Sequence, residues 1–493
     1  MPVQIFLAST LYGAATLAAG IDAGSFPQAG RRILLTSNHA VTAEISPGLA
    51  DMPGFAALRS RFDDVLDWNR TIEPMHPSVW APRAEDVPLW ERHLRVLWGL
   101  GDDRVELIVE SLQVPPAQSL CRLFPGAAVD VYADGLMSYG PTRFRLDPQL
   151  GMRVRRVLHL DLVPGLEPLL MTEFGVRAEV LPTEPFLKVL AELAQSPAGT
   201  ELVEPARPAH LSPGDAAPAW HDPAPSNPAP SDPVPPGPVP SDPAPSEPPA
   251  LLLGQYLSAL DLMTPAAEEE LHVAMVRGVH ALGHRELVFK PHPSAPAAYS
   301  RRAEAEAGRL GVRLTVVSAP VLAETLYQRL RPALVVGCFS TGLLTAATLY
   351  GLPVARTGTE GILARLTPYQ NSNRVPLALV DALLPDLADA EAVRSQAAPS
   401  RERVRGELTG LLTAVGFTMQ PQTLSSRRAA AEAYLARHLA PRTRRYFTRR
   451  RLTVLGLPGG IPAHLSFLPR IPAVRRAVRR LGRRLGRLGR ALS

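Results

Sequence analysis

The sequence predicts an α/β protein with two doubly wound, Rossmann-like domains facing a central cleft and joined by a proline-rich linker. Three observations predict it. Short apolar runs of strand length alternate with segments of helix length on both sides of a break. The break, from Pro205 to Pro249, holds 17 of the 52 prolines. The chain has 493 residues, too many for one compact core, and 46% of them are hydrophobic, so each half has apolar surface to bury.

The first domain is assigned to residues 1–195. Its predicted strands are Val3–Ala8, Arg32–Ser37, Val105–Glu110, Val129–Tyr132 and Val154–Leu160. Each is an apolar run suited to burial on both faces of a parallel sheet. Residues 1–20 are apolar enough to resemble a secretory signal. They lack a basic start, however, and Ser9, Thr10, Tyr12 and Gly13 break the run. Val3–Ala8 therefore reads as a buried strand and Thr10–Ala19 as the helix after it, the pattern of a mature cytoplasmic chain. No later stretch supplies the ~20 uninterrupted apolar residues of a membrane span.

Residues 196–249 are assigned to the linker, with five-residue units beginning at Ser226, Ser231 and Ser241. So many prolines leave few backbone donors and few apolar side chains. The expectation is a disordered or extended spacer. The alternative is a ligand for a proline-recognition domain.

The second domain is assigned to residues 250–435. Leu251–Gly254 reads as a strand. Pro265–Leu282 reads as a helix with Thr264 as N-cap, Pro265 at its first position and Glu268, Glu269 and Glu270 in its early turns. Then follow strand Glu286–Lys290, helix Ala297–Leu310 ended by Gly311, strand Arg313–Val317 and helix Val321–Leu330. Strand Ala333–Gly337, helix Thr341–Tyr350 ended by Gly351, and strand Leu352–Ala355 complete the series. Two such domains in tandem make a GT-B-like arrangement, with ligands expected beyond the carboxyl ends of the strands.

Charge is unevenly spread. The net charge is +6, yet residues 441–493 hold fifteen arginines and no Asp, Glu or Lys, so the remainder carries 6 − 15 = −9. Residues 436–493 are assigned to a basic tail. From Pro472 it reads as an amphipathic helix, with Val474, Val478, Leu481, Leu485, Leu488 and Leu492 on one face. Arg475, Arg476, Arg479, Arg480, Arg483 and Arg484 flank that face. Such a helix suits an anionic membrane surface. A polyanionic acceptor, nonspecific nucleic-acid binding and a solvated tail are the competing readings. No aromatics interleave with the arginines beyond position 468, which speaks against specific nucleic-acid binding.

The two cysteines, Cys121 and Cys338, are far apart, so no disulfide framework and no zinc spacing is present. Only two lysines occur, Lys188 and Lys290. With arginine used almost everywhere else, Lys290 stands out, because it opens the most suggestive loop.

Three loops carry candidate chemistry. In Phe289-Lys290-Pro291-His292-Pro293-Ser294 two prolines fix the backbone around a histidine able to bind or protonate a departing phosphate. An ordinary rigid turn is the alternative. Gly337-Cys338-Phe339-Ser340-Thr341-Gly342 opens a helix, and its hydroxyls and free N–H groups suit an anion; simple capping by Ser340 is the alternative. Val131-Tyr132-Ala133-Asp134-Gly135 ends a strand with a carboxylate able to act as a general base; an Asx turn is the alternative.

The order of carboxylate-Gly, Lys-x-His-Pro and hydroxyl pair resembles the motif set of bacterial sialyltransferases of the GT-B fold. Up to about residue 385 the chain is similar to the bacterial alpha-2,8-polysialyltransferase family, through Gln4–Tyr12, Tyr132–Gly135 and Lys290–Pro293. That resemblance implies CMP-sialic acid as donor, a glycan as acceptor, inversion at the anomeric carbon, no metal in the chemistry and no other cofactor. It implies Asp134 as general base and His292 at the leaving phosphate. Ser340 and Thr341 would hold that phosphate. Lys290, Pro293, Glu324, Gly254 and Gln255 would line the nucleotide pocket. It also implies surface-glycan synthesis at the inner membrane face. Two departures stand out: the first acid of the family's acidic pair is Ala133 here, and the serine pair is Ser340–Thr341. Transfer of another activated group, such as CDP-glycerol or another CMP-sugar, and a non-catalytic glycan- or membrane-binding relative are the alternatives.

Overall fold

A computed structural model describes residues 1–40, 43, 46–195 and 247–461. The linker up to residue 246 and the tail arginines from Arg475 to Arg484 therefore lie outside the described residues.

Two parallel sheets form the scaffold. The first contains β1 (Val3–Ala8), β2 (Arg31–Thr36), β3 (Asp64–Asp67), β4 (Val105–Val109), β5 (Ala128–Ala133), β6 (Val154–Leu160) and β7 (Arg177–Leu181). Their order is β3-β2-β1-β4-β5-β6-β7, with every pairing parallel. The second contains β8 (Ala250–Leu253), β9 (Glu286–Lys290), β10 (Arg313–Val316), β11 (Leu334–Gly337) and β12 (Val354–Arg356), in the order β10-β9-β8-β11-β12 and again all parallel. Strand order reverses between β1 and β4 in one sheet and between β8 and β11 in the other. These are the switch points where open α/β sheets leave a crevice.

Alternation along the strands builds the two layers of the first domain. Val3, Ile5 and Leu7 point to the face that holds Trp68, Leu94, Trp98 and Phe124. Phe6 and Ala8 point to the face covered by the helices Leu11–Asp22 and Thr183–Ala194. That second face is continuous with the core of the second domain in one apolar cluster. The domains are also tied by polar contacts. Arg329 donates to the carbonyl of Ala194, Thr348 Oγ1 to that of Leu162 at 2.9 Å and Gln420 Nε2 to that of Arg143 at 2.8 Å.

The helix caps follow their sequence signals. Thr264 Oγ1 accepts from the Ala267 N–H at 3.2 Å, and Gly311 ends the helix Ala298–Leu310 with φ of 67°. Two edge strands carried no apolar run. β3 reads Asp-Val-Leu-Asp, and β7 is exposed at four of its five positions. A sheet edge tolerates polar strands because one side lacks a neighbour.

Folded structure also runs past residue 435, where the sequence places the start of the tail. Helices Pro441–Arg444 and Arg449–Leu455 pack on the body through Tyr446, Phe447 and Leu452. Buried Asp381 anchors them: it accepts from Tyr446 Oη at 2.8 Å and pairs with Arg445 at 2.7 Å and Arg356 at 3.2 Å. Cys121 and Cys338 are both buried and free, in different domains. No helix among the described residues is long and apolar enough to cross a membrane.

Candidate active site

In the first domain, β1 ends at Ala8 and the chain turns through Ser9 into a helix capped by Thr10. Thr10 Oγ1 accepts from the Gly13 N–H at 2.9 Å and reaches Asp134 Oδ2 at 3.5 Å. Ser9 Oγ donates to Glu110 Oε2 at 2.9 Å. Tyr132 Oη donates to the Leu7 carbonyl at 3.0 Å and lies 3.5 Å from Glu110 Oε2. A Cβ on Gly13 would stand 3.0 Å from Tyr132 Oη and 3.3 Å from Asp134 Oδ2. The helix backbone thus approaches the Tyr132 hydroxyl and the Asp134 carboxylate as closely as a glycine permits.

Both acids resist ionisation. Burial holds the Asp134 carboxyl above its ordinary value, opposed by its backbone and Thr10 hydrogen bonds. Burial, and then the charge of Asp134, push Glu110 up to about 7.

The second domain faces this cluster. A Cβ on Gly135 would lie 3.2 Å from Thr341 Oγ1, so the Asp134-Gly135 turn abuts the start of the helix Thr341–Leu349. Ser340 caps that helix, its Oγ accepting from the Gly342 N–H at 3.2 Å. Gln255 Oε1 accepts from the Phe339 N–H at 2.9 Å, joining the β8 and β11 loops. Gly254 is required by closeness: a Cβ there would meet Phe289 Cζ at 2.9 Å and the Pro291 backbone at 3.1 Å.

Lys290 ends β9 and is buried, which lowers its pKa; the opposing influence is Glu324. Glu324, also buried, is pushed up to about 7 by desolvation, with Lys290 pulling the other way. His292 is exposed. Its Nδ1 accepts from the Ser294 N–H at 3.2 Å, which leaves the Nε2 face for a ligand. Desolvation and then the Lys290 charge hold this histidine below its ordinary value, with Glu268 opposing. It is therefore neutral at neutral pH and able to donate from Nε2. Pro293, just beyond, is exposed.

Gly135, next to Asp134, and Thr341 are thus brought together between the domains, as are Lys290 and Glu324 within the second domain. Tyr12 bridges the two groups. Its hydroxyl lies 3.4 Å from Thr345 Oγ1, and its pKa is raised by burial, then Glu324, with Asp134 adding to it. No hydrogen bond or ion pair joins His292 to Asp134 among the described residues. Sequence reasoning missed Glu110 as a site residue, together with the parts of Thr10 and Tyr12. Glu268 proves to be structural: its carboxylate accepts from the N–H groups of Leu257 and Ser258 at 2.6 and 2.8 Å and fixes the loop after β8. No group of three or more His, Cys, Asp or Glu is placed to hold a metal ion among the described residues.

Comparison with known proteins adds the following. The sequence model of one family, Alpha-2,8-polysialyltransferase (POLYST), matches residues 4–204 and 244–359. No curated protein matches the chain. Among solved structures, the UDP-GlcNAc 2-epimerase from Neisseria meningitidis bound to UDP-GlcNAc aligns at 10% identity, covering 88% of this chain and 96% of that one, with a TM-score of 0.41. MurG of Acinetobacter baumannii aligns at 11% identity over 87% and 94%, with a TM-score of 0.36. The O-GlcNAc transferase of Thermobaculum terrenum aligns at 15% identity over 88% and 68%, with a TM-score of 0.35.

Proposed function

The chain belongs to the alpha-2,8-polysialyltransferase family and is a glycosyltransferase, and we propose that it transfers sialic acid from CMP-sialic acid to a hydroxyl of a glycan acceptor. The observation that carries this reading is the meeting of Asp134-Gly135 from one domain with Thr341 from the other. It brings the backbone turn that carries Asp134 against the helix start that carries the Ser340–Thr341 hydroxyl pair, so candidate base and candidate phosphate site belong to one interdomain region.

In the proposed reaction the acceptor oxygen attacks the anomeric carbon from the face opposite the phosphate. Its proton passes to Asp134, whose partial desolvation raises its pKa above the ordinary carboxylate value and so strengthens it as a base. The bond from carbon to phosphate oxygen breaks, and the electron pair leaves with CMP. His292 donates from Nε2 to the leaving phosphate. Ser340, Thr341 and the free N–H groups of their helix stabilise its charge. Gly254 and Gln255 shape the base pocket, Lys290 and Glu324 bind the nucleoside, and Pro293 holds the histidine loop. The chemistry uses no metal.

The test is calorimetric binding of CMP, CDP and UDP, with His292→Ala and Asp134→Asn beside the unmodified chain. CMP alone binds, His292→Ala weakens it at least tenfold, and Asp134→Asn binds CMP normally while transfer falls about a hundredfold or more. Preference for UDP or CDP would sink the donor assignment, and full transfer by Asp134→Asn would sink the base.

A further inference from the structure

Two helices from different domains begin at the site. The helix Leu11–Asp22 starts beside Asp134, which its cap Thr10 approaches at 3.5 Å. The helix Thr341–Leu349 starts at the hydroxyl pair, with Ser340 as its cap. Among the described residues one hydrogen bond joins these two helices, between Tyr12 Oη and Thr345 Oγ1 at 3.4 Å.

The direction of that bond follows from what Thr345 does with its own proton. Thr345 is fully buried, and its hydroxyl donates to the Thr341 carbonyl one turn back at 3.2 Å. A hydroxyl has a single proton, so toward Tyr12 the threonine accepts and the tyrosine donates. A relay therefore runs from Tyr12 Oη through Thr345 to the backbone of Thr341, whose own hydroxyl belongs to the candidate phosphate site.

The ring is held separately from its hydroxyl. Tyr12 packs edge-on against Phe186 with ring centroids 5.3 Å apart. Phe186 is fully buried in the helix Thr183–Ala194, and Ala194 at the end of that helix accepts from Arg329 of the second domain. Packing thus sets where the ring stands, and the hydroxyl ties the turn Thr341–Thr345 to it. At 3.4 Å the bond is about 0.6 Å longer than the ~2.8 Å of an ordinary O–H···O bond. A domain approach of that size brings it to full strength. Gly135 leaves room for it, since a Cβ there would already stand 3.2 Å from Thr341 Oγ1.

We propose that Tyr12 is a positioning residue of the active site, a hydroxyl latch that holds the start of the phosphate-binding helix in register with the edge that carries Asp134. The proposal rests on reading Asp134 as the base and Ser340 and Thr341 as the phosphate site. Tyr12 makes and breaks no bond of the substrates. It sets the separation across which acceptor oxygen, anomeric carbon and leaving phosphate must align. A tyrosine that only fills space beside Phe186 would be replaced by phenylalanine without consequence.

The experiment uses Tyr12→Phe, which keeps the ring and removes the hydroxyl, with Thr345→Val, Thr345→Ser and the double variant Tyr12→Phe/Thr345→Val. The readouts are kcat and KM for CMP-sialic acid, calorimetric binding of CMP, thermal unfolding, and amide hydrogen exchange over residues 341–349. Tyr12→Phe lowers kcat about tenfold or more, while KM for the donor and CMP affinity stay within about twofold and the unfolding temperature is unchanged. Thr345→Val falls as far, Thr345→Ser retains more activity than Thr345→Val, and the double variant is no slower than the slower single one. Exchange over residues 341–349 rises severalfold in Tyr12→Phe. Unchanged kcat in Tyr12→Phe, a loss of CMP binding as large as the loss of kcat, single effects that multiply in the double variant, or unchanged exchange overturns the proposal. If the unmodified chain does not turn over CMP-sialic acid while exchange rises as described, the latch stands and the donor assignment falls.

Discussion

Replacing Glu324 by Gln should stabilise the protein at neutral and alkaline pH and leave it near the unmodified chain in acid. Glu324 is 4% exposed, and its carboxyl is held at about 7 against an ordinary 4.5. The sign follows from linkage. Below pH 4.5 the group is protonated in folded and unfolded chains alike, and folding loses nothing through it. As pH rises from 4.5 to about 7 the unfolded chain releases the proton while the folded chain retains it. Stability therefore falls across that window and levels off above it. The window spans about 2.5 pH units, a loss of about 3 kcal/mol. Glutamine has the same shape and no titration, so this loss disappears. Urea unfolding of both proteins at pH 5, 6, 7 and 8 should give midpoints that diverge steadily, with Glu324→Gln ahead by about 3 kcal/mol at pH 8. A constant offset at every pH refutes the reasoning, because it would mean that Glu324 is already ionised in the folded state and satisfied by Lys290. The stabilisation should come with weaker CMP binding, since a destabilised ionisable group at a cleft is retained for its ligand.

Two further substitutions test packing. Gly254→Ala places a methyl 2.9 Å from Phe289 Cζ and 3.1 Å from the Pro291 backbone; we expect it to cost about 1–3 kcal/mol and to weaken CMP binding tenfold or more by displacing the histidine loop, read by thermal unfolding and calorimetry. Asp381→Asn leaves Arg356 and Arg445 without their buried partner, for a loss of about 3–5 kcal/mol, and limited proteolysis should then cut within residues 436–461.

The central strands were legible because a parallel strand buried on both faces must be an apolar run. β1, β6 and β9 fall where the sequence places them, and the other central strands are offset by one or two residues at their ends. The edges of the first sheet were not legible: β3 and β7 lack apolar runs, and the sequence analysis assigned no strand there. The helices after β12 escaped for a different reason. Thr409–Met419 is buried at nine of its eleven positions, so its apolar residues surround the helix and leave no stripe of period 3.6 to read. Burial of Tyr446 and Phe447 within an arginine-rich stretch was likewise hidden, because composition averaged over residues 436–493 reports the arginines first.

The same contrast explains which site residues could be found. Asp134, His292 and Ser340 each sit just after a strand in one short motif, so local sequence points to them. Glu110 and Thr10 do not, because their meeting with Asp134 depends on strand order and on strand parity. β4 lies between β1 and β5, and the register pairs Val109 with Val131, which sets Glu110 opposite Tyr132. Ala8, Ile108 and Tyr132 all face the same core. With a side-chain period of two, the residues two places further on are Thr10, Glu110 and Asp134, so three neighbouring strands aim these three at one point above the sheet. A one-residue register slip of β4 would turn Glu110 to the opposite face and leave Asp134 alone. The carboxyl pair is therefore a product of topology at the switch point, assembled from single residues that no linear motif joins.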